Sequence, residues 1–224
     1  MAKFGSAIVL RRGADSQNFL AVRTGSTADH HSHLDLGNFV LDLAGERFAH
    51  DLGADNYGLP GYLGPRRADY LRSNTPGHNT LTIGEASQPL EATATATVGK
   101  ADGVPTARVV LTDAYPGARS VVRNFELKGD VATIVDDVIL DRSANLVWHL
   151  HTPAKVKKTE RGFLLDANGK RAELRVLSPA DFKLSAEPDV TQPPEQPVEN
   201  STHLRVKIPS TKATSIVIEI RLVE

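Results

Sequence analysis

The chain has no cysteine in its 224 residues. That excludes a disulfide framework and any thiolate metal site, so a bound metal must draw its ligands from His, Asp and Glu. Aromatic residues make up only 5% of the chain, with a single tryptophan, so any place where they gather is informative. No apolar run approaches the ~20 residues that a membrane-crossing helix requires. Charge of one sign is also missing: 26 Lys and Arg face 27 Asp and Glu, scattered along the chain. No basic stripe tracks a phosphate backbone, which argues against a nucleic-acid partner. Met1-Ala2-Lys3-Phe4-Gly5 is followed by no apolar h-region and does not read as a signal peptide.

What is present is a succession of short β patterns. A chain of this length buries roughly 70% of its extended surface and needs no covalent staple. Ser6 to Arg12 and Asn18 to Thr24 read as a hairpin turning at Gly13-Ala14-Asp15. Asn38 to Leu43 and Arg47 to Leu52 read as a second, turning at Ala44-Gly45-Glu46. Ala92 to Thr97 alternates Ala and Thr with period 2, the mark of a half-buried strand rather than a low-complexity tract. Strands are expected at 107–112, 120–127, 131–140, 146–152, 162–166, 171–177, 203–208 and 215–223, with Lys128-Gly129-Asp130 and Asn168-Gly169 as turns. Gln192 to Asn200, with three prolines, reads as a surface loop. Many short strands, frequent turns and no long helix indicate an all-β, antiparallel sandwich of two large sheets, one domain over residues 1–224.

The chemistry concentrates between Asp29 and Thr80. Five of the eight histidines and three of the four tyrosines (Tyr57, Tyr62, Tyr70) lie there. His31 and His33, two apart, leave the same face if that segment is an extended strand. Two imidazoles on one face begin a zinc site, and Asp51 at a strand end and His78 at a strand start are within reach to complete it. His30 and His50 have a solvated reading, and Asp35 that of a turn cap. The long connection from Gly53 to Gly77 reads as a functional loop with one short helical turn near Arg66 to Leu71. Its Arg67 and Arg72 have the planar fork that pairs with a carboxylate. His149 and His151 share a strand face beside Trp148, and with no acidic partner nearby in sequence a packing role is the better reading.

Three segments together carry a family resemblance. His-Ser-His-Leu-Asp-Leu-Gly-Asn-Phe-Val-Leu-Asp (31–42), Asp-Leu-Gly-Ala-Asp-Asn-Tyr (51–57) and Tyr-Leu-Arg-Ser-Asn-Thr-Pro-Gly-His-Asn-Thr-Leu (70–81) resemble, in order and spacing, the C-terminal β domain of the heparinase II/III-like polysaccharide lyases. Val135-Asp136-Asp137 and Trp148 to Thr152 resemble its later strands. The resemblance implies a structural zinc on His33, Asp51 and His78, with His31 facing the substrate cleft as the catalytic histidine. It implies a tyrosine for acid/base work, Tyr70 or Tyr57. It implies β-elimination on an acidic, uronate-containing polysaccharide such as a glycosaminoglycan or alginate, in a periplasmic or secreted setting. Members of the family carry an N-terminal helical toroid, so that missing domain is the expected partner in catalysis. Two other classes fit the residues: a non-catalytic carbohydrate-binding or scaffold sandwich, and a free-standing zinc metalloenzyme.

Overall fold

The computed structural model describes residues 2–4, 6–11 and 17–223. In chain order the strands are β1 (Ala2–Phe4), β2 (Ala7–Arg11), β3 (Phe19–Arg23), β4 (Gly25–Ser26), β5 (Phe39–Leu43), β6 (Glu46–Ala49), β7 (Leu81–Ile83) and β8 (Thr93–Ala101). They continue as β9 (Val104–Val110), β10 (Ala118–Lys128), β11 (Val131–Thr152), β12 (Lys155–Lys158), β13 (Gly162–Ala167), β14 (Lys170–Ser178), β15 (Lys183–Pro188) and β16 (Thr202–Val223). Among the described residues the helical segments are short 3-10 turns, at Pro65–Asp69, Thr75–Gly77 and Thr112–Ala114. None of the described helices is long and apolar enough to cross a membrane.

The strands form two antiparallel sheets. One has five strands in the order β1-β2-β3-β5-β6, and the other has eleven, built on the path β12-β13-β14-β16-β11-β10-β9-β8-β4. The turn residues set the hairpin registers. Ala44-Gly45 and Asn168-Gly169 each place two consecutive residues at positive φ, the conformation whose twist matches flanking strands. The turn expected at Gly13-Ala14-Asp15 lies outside the described residues.

Alternation along the strands builds the interior. On β2, Ile8 and Leu10 are buried while their neighbours are not, and on β16 Ile216, Ile218 and Ile220 repeat the pattern. Phe39 of β5 crosses from the small sheet to the large one, with ring centroids 5.7 Å from Phe125 of β10 and 6.1 Å from Trp148 of β11. Such tilted and edge-on aromatic pairs add to the apolar burial.

Two expectations change. The strands expected at 131–140 and 146–152 are one continuous 22-residue strand, β11, and those at 203–208 and 215–223 are likewise one, β16. Polar stretches interrupt the apolar pattern because irregularities in the β11–β16 pairing between Ile139 and Leu146 bend the ribbon there without ending it. His31 and His33 do not lie on a strand. Residues 27–31 form turns, held where Ser32 Oγ donates to the carbonyls of Thr27 (2.6 Å) and Asp29 (2.8 Å).

A buried ion pair sits at the centre. Arg123 of β10 and Asp136 of β11 are cross-strand partners, and both are fully buried. The guanidinium donates from Nε to Oδ1 at 2.6 Å and from Nη2 to Oδ2 at 2.8 Å. Its Nη1 donates at 2.9 Å to the carbonyls of Gly37 and Asn79, both in loops that carry the site. Truncating one member of such a pair leaves the other charge uncompensated. Arg123→Ala is expected to cost about 3–5 kcal/mol in urea unfolding. Arg123→Met combined with Asp136→Leu should recover part of that, but not all, because the Gly37 and Asn79 carbonyls still lack their donor.

Candidate functional site

Three loops meet beside one end of the large sheet: 27–38, 50–80 and 189–201. None has a strand ladder to satisfy its backbone, so side chains do that work. Asn79 is the hub. Its Nδ2 donates to the carbonyls of Phe39 (2.7 Å) and His50 (2.8 Å), its Oδ1 accepts from His151 N (2.6 Å), and its N donates to Asn38 Oδ1 (2.9 Å). The turn before His78 is equally constrained. A Cβ on Gly77 would lie 1.8 Å from the Leu71 carbonyl oxygen, so only glycine fits.

The 53–77 excursion has its own small apolar cluster of Leu59, Tyr62 and Tyr70. Arg67 and Arg72, expected at a substrate carboxylate, are tied to the protein itself. Arg67 is buried and donates to the carbonyls of Ser32 (3.0 Å), Thr27 (2.6 Å) and Leu90 (3.0 Å). Arg72 donates to the carbonyls of Leu52 and Pro197 and pairs with Asp55. Both brace loops.

His33, Asp51 and His78 come together. His78 Nδ1 lies 3.0 Å from Asp51 Oδ2, which also accepts from Asn38 Nδ2 at 2.7 Å. The His33 ring is 5.3 Å from that of His78, and its Nε2 is 3.3 Å from the Tyr62 hydroxyl. His78 Nε2 is buried with no hydrogen-bond partner. Burial pushes the Asp51 carboxyl up, but the hydrogen bond and charge of His78 outweigh it and hold the group well below the usual carboxylate range. Burial, and then the charge of His78, lowers His33 to about 4.

His31 diverges from His33. At φ +60° it stands exposed, edge-on to the Tyr57 ring at 5.4 Å. Tyr57 is 55% exposed. Tyr70, the other candidate tyrosine, is buried with its hydroxyl donating to the Pro60 carbonyl at 2.8 Å. A shallow depression beside His31 is lined by His30, Leu63, Arg67 and Glu91.

A second cluster lies behind the first. Among the described residues, His151, Asp189 and His203 are the set of three whose ligand atoms all lie within 4.8 Å of one another. The structural or packing role expected for His149 and His151 does not foresee this cluster, since Asp189 is 38 residues from His151 and reaches it only across the fold. The sequence assigns Asn38 no role, and Tyr62 none beyond its place among the clustered tyrosines. Asn38 lies inside the 31–42 segment, and its amide could have been suspected there. His50, expected to be solvated, is half-buried, with Nε2 2.7 Å from Ser201 Oγ. Asp35, expected as a turn cap, is buried, and its Oδ1 has no hydrogen-bond partner.

Comparison with known proteins agrees with this architecture. The sequence profile of the family described as Heparinase II/III-like, C-terminal, matches residues 3–219. No curated protein sequence matches the chain. Among solved structures, the heparan sulfate lyase HepC from Pedobacter heparinus is similar over 98% of this chain and 35% of its own, at 16% identity and TM-score 0.80. A structure titled heparinase III is similar over 98% of this chain and 36% of its own, at 16% identity and TM-score 0.78. The chain thus spans about a third of the length of these structures.

The half-buried His33 and His50 predict an acid-labile protein. Burial, and then the charge of His151, lowers His50 to about 4, as burial does His33. Unfolded imidazoles take up a proton near 6.5. Between 6.5 and 4 the unfolded state therefore binds more protons, and stability, complete above that window, is lost as pH falls through it. His78 runs the other way: burial lowers its pKa, but Asp51 outweighs that and raises it, so its contribution is lost as pH rises. Unfolding midpoints of chelator-treated protein should drop from pH 6.5 to 4, and His50→Gln should flatten the slope. An unchanged slope would show that His50 is not held neutral.

Proposed function

The chain belongs to the heparinase II/III-like C-terminal family, and from that premise we propose that it is the β domain, over residues 1–224, of a polysaccharide lyase that cleaves uronate-containing chains by β-elimination. The observation that carries this reading is the pairing of His31 and Tyr57, exposed and edge-on at 5.4 Å, near the half-buried His33 and Asp51 and the buried His78. An acidic glycan is the substrate class, in keeping with the heparan sulfate lyase among the similar structures. The helical domain expected from the resemblance completes the cleft, and such glycans place the protein in the periplasm or outside the cell.

Elimination requires that the C6 carboxylate be neutralised, the C5 proton removed and the departing O4 protonated. His31, open to solvent, can neutralise the carboxylate or transfer the proton, since an imidazole does both near neutral pH. The Tyr57 hydroxyl beside it takes the acid/base role, because the Tyr70 hydroxyl is engaged inside the loop. Arg67 and Arg72 shape the cleft by holding its walls.

The zinc that the resemblance implies would be held by Asp51, His78 and His33. Asp51 Oδ2, oriented by Asn38, lies 3.0 Å from His78 Nδ1, and the His33 ring stands beside that of His78. His33 would draw nearer to complete the set, because the three ligand atoms do not all lie within 4.8 Å of one another. Bound there, zinc supplies a cross-link between the 27–38 loop and the two ends of the 50–80 loop. The residues' own part is to hold His31 at the rim.

The test uses the smallest polypeptide containing this domain that yields unsaturated product. His31→Ala and Tyr57→Phe should each lower turnover by about 10²–10⁴-fold in ultraviolet assays of that product, as loss of a general acid or base does. Both positions are exposed, so the melting temperature should not move. Undiminished turnover in His31→Ala removes it from the chemistry, and glycan binding with no unsaturated product supports the binding-module reading instead.

A further inference from the structure

The second cluster has no part in that chemistry. We propose that His151, Asp189 and His203 form a separate structural site for a divalent metal of the zinc class, at the root of the 189–201 loop.

The spacing suits it. His151 Nδ1 is 2.9 Å, and His203 Nδ1 4.0 Å, from Asp189 Oδ1. Zinc bonds of about 2.0–2.1 Å in a tetrahedron set ligand atoms about 3.4 Å apart, between those two separations. All three residues are buried. Two imidazoles and one carboxylate favour zinc and its neighbours over magnesium or calcium, which take oxygen shells.

The outer side of each ligand is already held, which is the feature that separates metal ligands from histidines that merely pack. His151 Nε2 lies 2.9 Å from the Pro76 carbonyl, an acceptor only, so it carries a proton and Nδ1 is the ligating atom. His203 Nε2 is 2.8 Å from His149 Nδ1, and His149 Nε2 is 2.9 Å from Thr82 Oγ1. That chain of bonds leaves His203 Nδ1 facing Asp189. Asp189 Oδ2 accepts from Ser201 Oγ at 2.6 Å, and Ser201 Oγ in turn meets His50 Nε2. The competing occupant is a proton shared between His151 Nδ1 and Asp189 Oδ1, which the metal would displace.

The position gives the ion a task. Asp189 N donates to the Ser201 carbonyl and closes the loop at its base. Within the loop, Glu195 Oε1 accepts from Leu71 N at 2.6 Å, the Pro197 carbonyl accepts from Arg72 Nη2 at 3.0 Å, and Gln196 N donates to Asp55 Oδ1 at 3.1 Å. A metal at the root therefore stiffens the brace behind the excursion that carries Tyr57.

Chelator-stripped protein titrated with Zn²⁺ alone decides it. The wild type should bind two equivalents, and the Nδ1 nitrogen resonances of both His151 and His203 should move on zinc addition. The His33→Ala/His78→Ala variant should keep one equivalent, and zinc should slow amide exchange across 189–201 in it. His149→Leu, which removes the support of His203 and the Thr82 hydrogen bond but no ligand, should weaken that remaining site by about 10–100-fold. If the wild-type His151 and His203 resonances stay put at saturating zinc, the proton is the occupant and the site is overturned. That readout is independent of unsaturated-product formation, so the lyase reading can fail without it, and the reverse.

Discussion

The arrangement depends on a charge pair taken out of water. Arg123 and Asp136 sit opposite one another in the middle of the large sheet, fully buried. Such a pair is tolerable only when every donor and acceptor is matched, and the matching partners include two loop carbonyls, Gly37 and Asn79. The sheet's interior polarity is thereby tied to the loops outside it. Asn79 carries the connection outward to Phe39, His50 and His151. The backbone at His50 and His151 is thereby tied to an interaction in the core.

Two kinds of rigidity result. Below, the His33, Asp51 and His78 set and the His151, Asp189 and His203 set lie within the same framework, since His50 N donates to the His151 carbonyl and Pro76 receives His151 Nε2. Above, His31 and Tyr57 stand on loops braced by arginine–carbonyl bonds. The division is chemically sensible: groups that hold position are desolvated, and groups that meet a polysaccharide remain in water.

The similarity to solved lyase structures at 16% identity shows how little of the sandwich rests on particular residues. Alternating burial, turn residues of the right φ and a filled interior are enough to reproduce the sheets. The loops are less forgiving, since Gly77 and Asn79 admit no obvious replacement.

What the sequence by itself determined was local. Period-2 alternation marked most strands, Asn168-Gly169 marked its turn, and the all-β class followed from these. The first histidine group was legible because its members lie close in the chain and on motifs of fixed spacing. The continuity of β11 and β16 was hidden, because a bent strand looks like two strands when polar residues face solvent at the bend. The roles of Arg67 and Arg72 were hidden as well, since an arginine that satisfies carbonyls reads in sequence like one that awaits a ligand. Only the tertiary structure brought Asp189 and His203 to His151. They meet across sheet registers and a loop closure, and a long-range contact of that kind leaves no periodic trace in a single chain.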